Sequence, residues 1–181
     1  MPLTKEVLSK YVNPVFFETG TSEGEAVSMA LDCGFKRVYT VECNLVKFDR
    51  CRNKFKQFPQ VSLFFGVSGH CAGEMLSSFT GPATFWLDSH FSYSPLDPKP
   101  TANTCPILSE IRAIAAHPDR EEHTIMVDDF RYFRKGGIPQ WNMVDEAAVM
   151  AAIEEVFGEA FSYTFEDGFE KDDILVAKKC F

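Results

Sequence analysis

Residues 15–44, VFFETGTSEGEAVSMALDCGFKRVYTVECN, decide the fold. The apolar, β-rich Val15, Phe16 and Phe17 end in Glu18, and Gly20 and Gly24 bracket a tight turn ahead of a helical run over 25–31. A second strand over 37–41 is closed by Glu42. Glycines let a backbone come close to a ligand, and the helix start behind them offers unpaired N–H groups. An acid at the tip of the next strand can bind two ribose hydroxyls. The layout is a nucleoside-binding one, although glycine spacing alone also fits a βαβ unit with no ligand.

Two details favour a particular ligand. Gly20-x-x-x-Gly24 departs from the G-x-G-x-x-G that cradles a dinucleotide pyrophosphate, and Glu18 sits where a phosphate would be repelled. A carboxylate there suits positive charge. S-adenosylmethionine carries an amino group and a sulfonium where a dinucleotide carries phosphates, so electrostatics favour it.

Outward from this unit, apolar runs alternate with amphipathic ones, the mark of an α/β domain with a parallel sheet. Strands are predicted at 15–18, 37–42, 61–66, 83–88 and 123–128, and helices at 24–33, 45–57, 70–79 and 105–116. The near-continuous apolar runs ATFWLD and HTIMVDD fit central strands covered on both faces, and each ends in aspartate. The proline-rich 91–104 reads as a long loop leaving the fourth strand. Residues 140–157 follow a helical pattern, and two short strands, AFSYTFED and DILVAKK, are close enough for an antiparallel hairpin.

With 181 residues, 45% of them hydrophobic, a single domain spanning 1–181 with a sizeable core is expected. The net charge of −8 speaks against a sequence-independent grip on nucleic acid, which needs a cationic surface. The periodic basic residues of KFDRCRNKFK, 47–56, suit the solvated face of a helix. No apolar run reaches the roughly 20 residues that span a bilayer, and the N-terminus lacks a signal-peptide core. A soluble, cytoplasmic protein is expected. The six cysteines form no C-x-x-C pair and are read as free thiols.

In this order of elements the chain resembles the class I S-adenosylmethionine-dependent methyltransferases. E-x-G-x-x-x-G is matched by Glu18-Thr19-Gly20-Thr21-Ser22-Glu23-Gly24, and the acid ending the second strand by Glu42. The resemblance implies a Rossmann-like, doubly wound sheet of five parallel strands, followed by a hairpin whose last strand inserts antiparallel. It also implies a cofactor site of Glu18, Thr19, Gly20, Thr21, Gly24, Glu42, Cys43, Ser68 and Asp88. Glu18 and the turn would hold the methionine moiety and Glu42 the ribose. Many members carry an acid after the third strand for the adenine, whereas this chain reads Gly66-Val67-Ser68. Ser68 is a substitute contact or simply a helix cap.

A second constellation is acidic. Asp88 ends the fourth strand and Asp128-Asp129 the fifth, so parallel neighbours bring the three carboxylates to one sheet edge. Such a set suits Mg²⁺ and is similar to the metal site of the catechol and macrocin O-methyltransferase types. Alternatively, Asp88 caps its loop and Asp129 pairs with Arg131 or Arg134. Asp88 and His90 are the candidate catalytic residues, with His90 as base or as loop-orienting residue. In the catechol type the base is a lysine at the position that is Phe91 here. Aromatic Phe91, Tyr93, Phe130, Tyr132 and Trp141 are candidates to frame the acceptor, while Trp86 reads as core. His70, His117 and His123 read as structural.

The function this implies is methyl transfer from S-adenosylmethionine to an oxygen of a small-molecule acceptor, assisted by Mg²⁺, by a possible homo-oligomer. A nucleotide-sugar glycosyltransferase and a cofactor-binding module without turnover are the alternatives. The fourth strand lacks the N/D-P-P-Y/F tetrad that holds a flipped base, which also weighs against a nucleic-acid acceptor.

Overall fold

The computed structural model describes residues 3–90 and 105–180. The expected loop at 91–104, with Phe91 and Tyr93, lies outside them. The chain runs through α1 (Lys5–Ser9), β1 (Val15–Thr19), α2 (Glu25–Cys33), β2 (Arg37–Glu42), α3 (Leu45–Phe55), β3 (Val61–Phe65) and α4 (Ser68–Leu76). It continues through β4 (Ala83–Leu87), α5 (Ile107–Ala115), β5 (Thr124–Val127), α6 (Phe130–Arg134), α7 (Glu146–Phe157), β6 (Phe161–Glu166) and β7 (Ile174–Lys179). The strands form one seven-stranded sheet in the order β3-β2-β1-β4-β5-β7-β6. β1 to β5 are parallel, and β7 runs antiparallel between β5 and β6. This is the doubly wound sheet with terminal hairpin that the sequence predicts.

Successive strand residues face opposite sides of a sheet, so both faces need apolar cover here. Phe16, Val38, Trp86, Met126 and Val176 pack with Ala26, Val27, Ala30, Cys51 and Phe55 of α2 and α3. On the other face Phe17, Val41, Phe85, Val127 and Leu175 meet Met75 of α4, Ile111 of α5 and Ile153 of α7. Phe17 and Phe85 lie with ring centroids 5.0 Å apart. Trp86 is wholly buried, as expected. The basic residues Arg50, Arg52, Lys54 and Lys56 are exposed around the buried Cys51 and Phe55, so 47–56 is a solvated helix face.

Three helices depart from expectation. The helical pattern over 140–157 is interrupted: residues 139–141 form a single 3₁₀ turn, Asn142 and Met143 take left-handed conformations, and α7 starts only at Glu146. The physical reason is Asp145, whose side chain accepts from Ala148 N at 2.9 Å and nucleates a fresh helix start. The short α1 and α6 were not anticipated, being too brief to show an apolar period.

Phe17 is 1% exposed in the central strand. Phe17→Ala is expected to cost about 3–5 kcal/mol by urea denaturation with the transition still cooperative. A loss below about 1 kcal/mol would mean that this face is not the core it is described to be.

Candidate active site

The tips of the parallel strands are laced to one another by backbone bonds. Gly20 N donates to Val41 O at 3.1 Å, Asp88 N to Thr19 O at 3.2 Å, Asp128 N to Leu87 O at 3.2 Å and Gly66 N to Glu42 O at 3.0 Å. Glu42, Asp88 and Asp128 therefore emerge at one edge, the carboxyl edge where open α/β sheets bind ligands. Gly20 has φ +91°, and a Cβ there would stand 2.5 Å from Asp88 O. The glycine is demanded by the approach of the β1 turn to the β4 tip. At Gly24 a Cβ would meet the Phe55 ring at 2.5 Å, so that glycine serves packing of α3 as much as any ligand.

Glu18, one residue short of the β1 tip, is 2% exposed. Its register partner on β2 is Thr40, whose hydroxyl donates to Glu18 Oε2 at 2.6 Å. Thr21 and Thr40 hydroxyls are 2.6 Å apart, so a short chain of hydroxyls fixes the carboxyl. Burial pushes Glu18 up to about 8, reinforced by Glu42 and opposed by the Thr40 hydrogen bond and the Lys54 charge. Below that pH the free protein holds it protonated. Glu42 accepts from Ser22 N at 2.8 Å on one oxygen and from Asn44 N at 2.7 Å on the other. Each oxygen keeps a further lone pair for a ligand hydroxyl. Cys43 is exposed next to it, and Asn44 caps α3 through Val46 N and Lys47 N.

The second cluster surrounds His90, which is 7% exposed. Its Nε2 lies 2.9 Å from Asp129 Oδ2 and 3.6 Å from Asp88 Oδ1, and its ring packs on Trp141 with centroids 4.2 Å apart and planes tilted by 46°. Arg131 Nη1 is 2.6 Å from Asp129 Oδ1, and the same atom pairs with the fully buried Asp173, which also accepts from Arg131 N at 3.1 Å. Burial opposes ionisation of Asp129, but the His90 hydrogen bond and the His90 and Arg131 charges outweigh it and hold the carboxyl below its ordinary range. Asp88 and Asp128 are in the opposite state. Burial, then Asp128, Asp129 and Glu18, push Asp88 well above the usual carboxylate range, although its side chain is 28% exposed. Burial and Asp129 push Asp128 up as well.

The set predicted for Mg²⁺ does not fit in this form. The carboxylates that converge within 4.8 Å of one another are Asp128, Asp129 and Asp173, and Asp88 is not among them. One Asp129 oxygen is hydrogen-bonded to His90, and the other, buried and without a hydrogen bond of good geometry, is ion-paired with Arg131, which also holds Asp173. Repulsion among these acids is relieved at the β5 end by the Arg131 guanidinium, with His90 hydrogen-bonded to Asp129. The salt-bridge alternative is the one this geometry realises for Asp129.

Other predicted residues fall as follows. Thr19 is buried at the β1 tip, and Ser68 opens α4 as its first residue, with Val67 in the cap position. Phe130 and Trp141 are buried, so of the described aromatics expected at the acceptor mouth only Tyr132 is partly open. His70 is exposed. His123 and His117 form a buried pair, Nε2 to Nδ1 at 3.0 Å, and His123 Nδ1 accepts from Ala83 N. Thr40 and Asp173 were missed. Thr40 is signalled only by the register of β1 on β2, and Asp173 only by the return of β7 beside β5.

Chemically, the cleft offers a desolvated acid at β1, a ribose-competent acid at β2, and a carboxylate–imidazole pair at β4 that can take a proton. Among the described residues no helix is long and apolar enough to cross a membrane.

No protein-family model matches the sequence, and none of the curated proteins does. Solved structures do match in fold. An O-methyltransferase from Bacillus cereus in complex with SAH superposes with TM-score 0.68 at 12% identity, over 97% of this chain and 78% of that one. A provisionally assigned rRNA methylase from Clostridium thermocellum gives 0.65 at 14% identity, over 97% and 95%. A provisionally assigned methyltransferase from Streptococcus mutans, also with SAH, gives 0.59 at 15% identity, over 97% and 95%. The fold of this chain is that of the class I methyltransferases.

Proposed function

We propose that the protein transfers the methyl group of S-adenosylmethionine to an oxygen of a small-molecule acceptor. The observation that carries this reading is Glu18, a buried acid that burial holds well above the ordinary carboxylate range despite the Lys54 charge, at the turn where the fold receives its ligand. A donor bearing an ammonium and a sulfonium supplies the missing charge, whereas a phosphate-bearing donor would add to the repulsion. Glu42 takes the ribose hydroxyls through its remaining lone pairs, and the turn over 19–24, with Gly20 and Thr21, lies under the methionine moiety. The Cys43 backbone and Ser68 border the adenine.

Methyl transfer is an in-line displacement, so the chain has to align the acceptor oxygen and accept its proton. Asp88, partly exposed and high in pKa, takes that proton, with His90 beside it. Asp129 and Trp141 hold the imidazole in place. No step is assigned to Mg²⁺, because Arg131 and His90 already occupy the Asp129 oxygens. A small acceptor is favoured over RNA by the net charge of −8, although some proteins of this fold are named as rRNA methylases.

Calorimetry with S-adenosylhomocysteine tests the reading. Binding is expected for the wild type, and absence of binding by folded protein would overturn the cofactor assignment. Glu18→Gln, which mimics the protonated acid, is expected to fold normally yet bind at least about tenfold more weakly. Unchanged affinity would remove Glu18 from the site.

The sign of the pH dependence follows from the raised pKa. Between the ordinary carboxylate range and about pH 8 the folded protein holds a proton that the unfolded chain has lost. The Glu18 contribution to stability is therefore fully present below the ordinary range and is lost as pH rises through 8. Ligand binding requires the ionised acid and moves the other way, tightening by up to about tenfold per unit between about pH 6 and 7.5. Affinity that is flat or falls over that range would contradict the account. Melting temperature and methyl transfer are expected to be the same in Mg²⁺ and in EDTA, and a strict requirement for the ion would refute compensation by Arg131 and His90.

A further inference from the structure

Beneath the cleft lies an acid that neither the cofactor nor the acceptor step uses. Glu110, in the first turn of α5, is 1% exposed, and Ser89 Oγ donates to its Oε1 at 2.5 Å. The hydroxyls of Ser68 and Thr19 stand near enough to act on the same carboxyl. Even so, Glu110 Oε2 and Thr19 Oγ1 are each buried without a hydrogen bond of good geometry. Leaving two such atoms unpaired is costly, and one proton shared between Oε2 and the Thr19 hydroxyl, donated from either side, removes both deficits. Burial pushes Glu110 upward against the Ser68 and Ser89 hydrogen bonds, the His90 charge and the Thr19 hydrogen bond.

The neighbours give this carboxyl a reach over the whole cleft floor. Ser89 is the residue between Asp88 and His90, so fixing its side chain fixes the peptide units carrying both. Thr19 is the last residue of β1, directly before Gly20, and Ser68 the first of α4. The α5 start is also pressed against α4, since a Cβ at Gly69 would stand 2.6 Å from Ser109 Oγ.

We propose that Glu110 is a positioning residue for the cleft. Through Ser89 it sets the segment bearing Asp88 and His90, and through Ser68 and Thr19 it ties that segment to the β3–α4 junction and the β1 tip. A carboxyl group serves because one oxygen accepts from Ser89 while the other can share a proton with the Thr19 hydroxyl. This inference rests on the methyl-donor reading only for its effect on ligand affinity.

The test compares wild type, Glu110→Gln and Glu110→Leu, using the ring resonances of ¹⁵N-labelled His90 and calorimetry with S-adenosylhomocysteine. Glutamine retains an acceptor and a donor, so E110Q is expected to keep the His90 resonances and to bind within about threefold of wild type. E110L is expected to shift or broaden the His90 resonances and to weaken binding by about tenfold with unchanged circular dichroism. An E110L protein matching wild type in both measurements would overturn the proposal, as would E110Q impaired as much as E110L. If E110L fails to fold, Ser89→Ala cuts the same tie from its other end, and an unmoved His90 there would overturn it equally. A wild-type protein that does not bind the probe counts against the methyl-donor reading, while the His90 resonances still decide the role of Glu110.

Discussion

Repulsion among desolvated carboxylates at the carboxyl edge of the sheet is the constraint on which the site depends. Parallel pairing brings Glu42, Asp88 and Asp128 to one edge with Glu18 just below, and the sheet cannot separate them without losing its ladder. Compensation is uneven. At the β5–β7 end, Arg131 pairs with Asp129 and Asp173, and His90 hydrogen-bonds Asp129. At the β1–β4 end the Lys54 charge acts on Glu18 and His90 stands 3.6 Å from Asp88, yet burial outweighs them and pushes both carboxyls up. A cleft with one satisfied and one unsatisfied end is organised to receive positive charge at the unsatisfied end.

The fold explains why the two ends differ. β7 inserts antiparallel beside β5 and brings Asp173 to the β5 tip, where Phe130 N donates to its carbonyl at 2.8 Å and Arg131 to its carboxylate. That return ties the start of α6 in place and delivers the guanidinium to Asp129. On the other side the β1 turn presses on the β4 tip so closely that only glycine fits at position 20. This brings Glu18 close enough for its charge to help raise Asp88.

Much of this was legible in the sequence. The run VFFETGTSEG and the strand-ending Glu42 carry local signals, apolar character, glycine and acid, and the parallel sheet and hairpin follow from the alternation of patterns. The break at 142–145 was hidden because alanine-rich periodicity masks a capping aspartate. The partners of the acids were harder still. Thr40 faces Glu18 only through strand register, and Asp173 joins Asp129 across more than forty residues of chain. Three acids at one edge read as a metal site when their neighbours are unknown, and as an ion-pair network once Arg131 and His90 are seen between them. Glu110 gave no signal, since a glutamate early in a helix is ordinarily a solvated residue favoured by the helix dipole.

The state of Glu18 can be observed directly by following the side-chain carboxyl carbon of ¹³C-labelled glutamate across pH, in the free protein and with S-adenosylmethionine bound. The account predicts a resonance that titrates near 8 in the free protein, is absent in Glu18→Gln, and stays ionised well below that pH in the complex. Titration of Glu18 in the ordinary carboxylate range in the free protein, or no change on adding the donor, would contradict it.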